Sequence, residues 1–267
     1  MKPSIGIIHF VVLCWLSPPG MAQQPRTTEA FDQYVAMAEA RITQARGNAA
    51  SFLAIDALSP AHRTEVMARL RQGEVVIEKQ GETPSQIPAG LIHDWVGTVF
   101  IPKATIAQVL SLIQDYDHST RYYSPDVVQS RLRSHHGDDF QVFMRLKKHK
   151  VVTVVLDTEY DVHYGHLDTA HQYSFSRSTR VSEIAHPGTP KEHALAAGHD
   201  HGFMWRLNSY WAFEQIGDGV LIECEAISLT RDIPAGLGWM IGPFVNSIPR
   251  ESLQFTLDAT RKALASN

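Results

Sequence analysis

Cysteine is scarce in this chain of 267 residues: there are two, Cys14 and Cys224. Cys14 lies in an N-terminal stretch that reads as a leader. Its loss leaves Cys224 alone and excludes an internal disulfide, so stability has to come from a buried core. Long hydrophobic runs are missing too. Beyond the leader no stretch is apolar for long enough to cross a bilayer. Positive charge is short, with 24 Lys and Arg against 28 Asp and Glu. The net charge of −4 gives no electrostatic footprint for nucleic acid and no case for an anionic membrane surface as the main partner. No G-x-S-x-G, H-E-x-x-H, Walker or dinucleotide fingerprint occurs, and there is no internal repeat or low-complexity tract.

The leader comes first among what is present. Lys2 supplies the positive start, "IGIIHFVVLCWL" (5–16) the apolar core, and "SPPGMA" a small-residue exit ending at Ala22. This is the layout of a secretory signal, too short for a membrane span. Cleavage after Ala22 is expected, giving a periplasmic or secreted chain. Losing Lys2 and no acid takes the formal charge to −5. About 245 residues then suffice for one domain with an N-terminal extension.

Residues 23–72 are read as that extension. Thr27 or Thr28 caps a helix with Phe31, Val35, Ala38 and Ile42 on one face. A second helix has Ser59 as N-cap, Pro60 as first residue, Val66, Met67 and Leu70 as stripe, and Gly73 as stop. The period then changes from helical to alternating. Strands are expected at 74–79 and 93–101, a helix at 104–117, and β-runs at 127–134, 140–147, 151–162, 172–184, 204–215 and 220–230. A final amphipathic helix from about Pro249 to Ala265 carries Leu253, Leu257, Thr260 and Leu264 along one stripe. The fold class is α+β: an antiparallel sheet, covered on one face by the last helix.

The connection "QIGDGV" (215–220) fixes which residues share a face. A two- or four-residue loop sets Trp205, Leu207, Ser209, Trp211 and Phe213 beside Ile222, Cys224, Ala226 and Ser228. The opposite face, with Arg206, Asn208, Tyr210 and Glu214 beside Glu223 and Glu225, reads as solvated. Alternation elsewhere puts Tyr160 inward, together with Phe175 and Arg177. Arg177 on an apolar face needs a partner. That partner is a ligand's polar group or a carboxylate on the last helix, unless the residue stands at the sheet's edge or the strand has the opposite parity.

The stretch "LNSYWAFEQIGDGVLIECEAISLTRDIPAGLGWMIGPFVNSIPRESLQFTLDATRKAL" (207–264), with the order strand, short helices, meander and long helix over about 73–265, resembles the START-like, Bet v 1-like (SRPBCC) superfamily. In particular it is similar to the closing hairpin, loop and helix of secreted bacterial START-like proteins. The resemblance implies a helix-grip domain over 73–267, with a cavity between sheet and last helix that holds a hydrophobic small molecule or lipid. The cavity side chains would be Trp205, Leu207, Trp211, Phe213, Tyr160, Phe175, Arg177 and Leu257. "DIPAGLGWMIGPF" (232–244), punctuated by glycine and proline, would be a loop at the cavity mouth. There Trp239, Met240 and Phe244 act as a lid or as a static plug, with Tyr122 and Tyr123 on the facing rim.

Other chemistries are less well supported. Cyclase, aromatase or hydrolase activity would draw on Tyr160 and Arg177, but no paired carboxylates or nucleophile–base motif stands beside them. Neighbours His93 and Asp94 on one strand face opposite ways. The segment 186–202 holds His186, His193, His199 and His201 at spacings that match no standard zinc site. No catalytic residue, metal ligand or cofactor is assigned, and the oligomeric state is left open.

Overall fold

The computed structural model describes residues 25–150, 152–196, 198–233 and 238–265; the leader at 1–22 lies outside them. Helix α1 (Pro25–Arg46) opens the described chain and α2 (Pro60–Arg71) follows two short 3-10 turns. Ser59 accepts from His62 N at 3.4 Å, with Pro60 at the first helical position. Next come strands β1 (Val76–Lys79), β2 (Ser85–Ile87) and β3 (Gly90–Pro102). Two short helices follow, α3 (Ile106–Ile113) and α4 (Ser119–Tyr123). A reciprocal cap starts α3: Gln108 N donates to Thr105 Oγ1, and Thr105 N to Gln108 Oε1. The meander is β4 (Val127–His136), β5 (Asp139–His149), β6 (Thr153–Asp168), β7 (His171–Ala185), β8 (His193–Ala194), β9 (Arg206–Ile216) and β10 (Gly219–Arg231), closed by α5 (Gly238–Ala265).

The strands form one antiparallel sheet in the order β1-β3-β10-β9-β7-β6-β5-β4, with β2 beside β3 and β8 beside β7. Gly217 and Asp218 make a two-residue turn between Ile216 and Gly219. Gly217 takes a φ of +59°, which glycine adopts without strain. The sheet curls around α5. Strands β3 and β5 are five places apart, about 24 Å if flat, yet both reach one helix about 10 Å across. On β3, Gly97 is the seat: a Cβ there would stand 2.5 Å from Leu257 Cδ1 and 3.2 Å from Leu253. From the far side, the Lys148 ammonium of β5 lies 5.9 Å from the Phe255 ring centroid, and Lys150 pairs with Glu251 at 2.6 Å. This is an α+β helix-grip fold.

Two departures from the sequence expectation matter. First, α5 begins at Gly238, some eleven residues before the expected start, so 238–244 is helical rather than looped. Ile241, Phe244, Val245 and Ile248 recur at i, i+3, i+4 and i+7, and that periodicity outweighs the punctuation by Gly242 and Pro243. Second, the sheet is covered on both faces. On the α5 side, Val99, Phe213 and Ile222 pack with Leu253 and Leu257, while Phe140, Val142 and Val162 pack with Tyr116. On the back, α1 sets Phe31 and Ile42 against Ile92, Tyr210 and Ile227; α2 and the 3-10 turns set Leu70 and Phe52 against Phe100 and Leu221. Each such side chain contributes about 1.5–3 kcal/mol by leaving water.

Candidate functional site

The expected register of the last hairpin is the observed one: Phe213 lies opposite Ile222, Trp211 opposite Cys224, Ser209 opposite Ala226 and Leu207 opposite Ser228. These residues face α5. Phe213 and Cys224 are sealed, whereas Leu207, Ser209, Trp211 and Ala226 keep partial exposure although helices lie over them. Leu257 faces them from α5, fully buried. Tyr160 joins the same side through its cluster with Val142, Tyr116 and Leu207. Burial pushes its phenol up to about 12, so the group stays protonated.

Three expected cavity residues lie elsewhere. On β7, Ser174 pairs with Trp211 and Phe175 with Tyr210, so the serines face α5 and Phe175 faces α1. The expectation of a solvated back face places Phe175 inward; α1 covers that face and receives the ring instead. Arg177 follows Phe175 to the back, where Glu39 of α1 receives Nε at 2.6 Å and Nη2 at 2.9 Å. Its partner is therefore on the N-terminal extension and not on the last helix or a ligand. Trp205 precedes β9 and leaves the alternation. It packs with Phe31 and Leu229 under α1, its Nε1 donating to Asp200 at 2.8 Å.

Of the rim, Tyr123 turns inward and its hydroxyl meets Thr260 Oγ1 of α5 at 3.0 Å. Tyr122 turns to Asp115, 3.2 Å away. The side chains of Trp239, Met240 and Phe244 lie outside the described residues; their backbone is the start of α5, so the expected loop is corrected to a helix. Two surface depressions are elsewhere: one runs along the outer side of α1 at Asp32, and one of about 290 Å³ lies between Arg71 and Arg261. Trp211 lines neither.

The supposedly solvated back face holds a buried charge cluster. Glu223 and Glu225 are 4% and 3% exposed and Asp94 1%. Arg41 donates to Glu225 at 2.5 Å, Tyr34 to Asp94 at 2.8 Å, and Ala54 N to Glu223 at 2.7 Å. Arg46, also buried, donates to the Trp211 carbonyl and stands over the rings of Phe52, Tyr173 and Phe175. Burial, with Glu225 adding to it, raises Asp94 to about 8; burial raises Glu223 to about 7 against the pull of Arg46. One hint is local. Acids at alternating positions of a central strand become sealed if a helix covers them, and an amphipathic extension was at hand.

In the segment 186–202, His201 Nδ1 lies 2.6 Å from Glu183 and the other histidines are exposed. Among the described residues, no three His, Cys, Asp or Glu side chains stand together as metal donors. No helix of the described residues is long and apolar enough to cross a membrane.

No protein-family model matches the sequence, and no curated protein matches it. Solved structures do. A STAR-related lipid transfer protein from Xanthomonas axonopodis is 18% identical, with 72% of this chain and 98% of that one covered and a TM-score of 0.47. A START superfamily protein from Mycobacterium smegmatis is 13% identical, with 65% and 98% covered and a TM-score of 0.44. The Zhui aromatase/cyclase from Streptomyces is 12% identical, with 64% and 93% covered and a TM-score of 0.43. The proteins that this chain is similar to are START-like and Bet v 1-like, and the likeness is one of fold.

Proposed function

We propose that the chain binds an apolar or amphipathic, lipid-like small molecule between its sheet and α5, and that, exported behind its leader, it does so outside the cytoplasm. The observation that carries this reading is the partial exposure of Leu207, Ser209 and Trp211 on a face roofed by helices. The neighbours on this face are small: Ser174 stands opposite Trp211 on β7, and Ser176 and Ala226 flank Ser209. Affinity would come from apolar ligand area at about 25 cal/mol per Å², less the cost of ordering the ligand. Tyr160 has no acid or base beside it among the described residues, which favours binding over turnover.

The test is native mass spectrometry of the protein purified from its own envelope, followed by lipid extraction, with binding of the neutral probe N-phenyl-1-naphthylamine after delipidation. A bound apolar species is expected. Trp211→Ala should weaken probe binding about tenfold, the equivalent of losing one well-packed contact of about 1.4 kcal/mol. Absence of both a co-purifying molecule and probe binding would sink the reading. Export is checked separately by N-terminal sequencing, which should begin at Gln23.

A further inference from the structure

The α5-facing side of β3 carries two buried polar atoms with no partner. His93 is fully buried, and its Nδ1 makes no hydrogen bond; Trp95, two residues on and 8% exposed, has a free Nε1–H. Both stand on the same side as the half-open stretch of Trp211, since His93 pairs with Ser228 and Trp95 with Ala226. A buried polar group left unpaired is costly, and here two occur on one short strip.

Their roles can be assigned. Thr230 Oγ1 lies 3.4 Å from the Arg231 carbonyl, to which it donates, and 3.1 Å from His93 Nε2, from which it then accepts. In that arrangement of the Thr230 hydroxyl the His93 proton is on Nε2 and Nδ1 offers a lone pair. Burial lowers the ring to about 4, so the imidazole is neutral at physiological pH. Trp95 can only donate. One acceptor and one donor are the complement of hydroxyl chemistry, which supplies both.

Charge on this face agrees. The ionisable side chains that share it stand at its ends and are matched: Lys148 to Asp126, Lys150 to Glu251 and His201 to Glu183, each at 2.6 Å. Lys79, exposed at the sheet's edge, lies against the outer Trp95 ring, 5.7 Å from its centroid. The middle of the face, from Tyr160 across Ser176 and Trp211 to His93, carries no charged side chain among the described residues. An ionised head group brought there would be desolvated without a counter-ion, which disfavours it.

We propose that the ligand is an uncharged, hydroxyl-bearing lipid whose oxygen docks at His93 and Trp95. This rests on the binding reading above. The test measures displacement of N-phenyl-1-naphthylamine by hexadecane, 1-hexadecanol and palmitate at pH 8. Hexadecanol should bind at least tenfold more tightly than palmitate. His93→Phe should weaken hexadecanol about tenfold and leave hexadecane unchanged, with thermal unfolding confirming the fold. Thr230→Val, which frees the ring's tautomer, should weaken hexadecanol by a smaller factor. Palmitate binding as well as hexadecanol, or hexadecanol indifferent to His93→Phe, overturns the subsite while hexadecane binding still upholds the cavity. Failure of the probe and of all three competitors would instead remove the cavity reading.

Discussion

Strand β9 shows two surfaces of opposite character. Asn208, Tyr210 and Ala212 are at most 5% exposed beneath α1, α2 and the 3-10 turns, while the alternate residues Leu207, Ser209 and Trp211 stay partly open beneath α3 and α5. Charge follows the same division. Asp94, Glu223, Glu225, Arg41 and Arg46 are all on the sealed side. A buried charge needs its partner at all times, and the covering helix supplies one permanently. A face that fills and empties, as the proposed function requires of the α5 side, cannot promise that, and the middle of this one carries no charge among the described residues. Residues 25–71 therefore line one face permanently, and on the function proposed above the other face is the one left to the ligand.

Arg46→Ala tests that division most severely. Arg46 is 5% exposed, and its guanidinium compensates the carboxylates of Glu223 and Glu225 while standing 5.9 Å from the Phe52 ring centroid. Removing one partner of such a buried group costs about 3–5 kcal/mol. Urea unfolding should show that loss, with probe affinity in the remaining folded protein unchanged. A loss below about 1 kcal/mol would mean that the back face is not the sealed side.

The same cluster predicts how stability responds to pH. Three buried carboxylates, Asp94, Glu223 and Glu225, face two guanidinium groups, Arg41 and Arg46, with the Tyr34 phenol alongside. Asp94 Oδ1 is unpartnered, which fits a carboxyl that keeps its proton. Asp94 is raised to about 8 and Glu223 to about 7, against about 4 in the unfolded chain. Between those values the native state holds more protons than the unfolded one. The contribution is complete below about pH 4 and is lost as pH rises through 7 to 8. Each retained proton makes stability fall by up to about 1.4 kcal/mol per pH unit. Urea midpoints at pH 5.5, 7 and 8.5 should decline, and Asp94→Asn should flatten the decline. A stability that rises over this range would contradict the assignment.

Much of this was legible beforehand, for definable reasons. Gly217 and Asp218 set the turn length, and turn length sets parity, so the α5-facing side of β9 and β10 could be read from six letters. Ser59 and Pro60 marked the start of α2, because capping is local. What failed was non-local. Whether Glu223 faces water or α1 depends on where residues 25–46 dock, and amphipathic spacing shows that a helix packs without showing on what. Phe175 and Arg177 were misplaced for that reason. The β7 bulge opposite Glu159 and Tyr160 adds a further break that no local signal announced. His93 was read only as part of a pair with Asp94. Its meaning emerges once Thr230 is seen to take one ring nitrogen and leave the other.

The smallest expected effect sharpens the comparison most. Arg177 looked like the polar handle of a pocket; the structure pairs it with Glu39, which also accepts from Tyr210 at 2.9 Å. The arginine is 47% exposed, so water screens the pair and its two-pronged geometry is worth at most about 1 kcal/mol. Arg177→Ala should therefore lower the urea midpoint slightly and leave binding of N-phenyl-1-naphthylamine and 1-hexadecanol where it was. Glu39→Gln should do the same, whereas Trp211→Ala, on the neighbouring strand and facing the other way, should weaken both ligands. If Arg177→Ala instead costs ligand affinity tenfold, the back face takes part in recognition and the separation of charge from cargo fails.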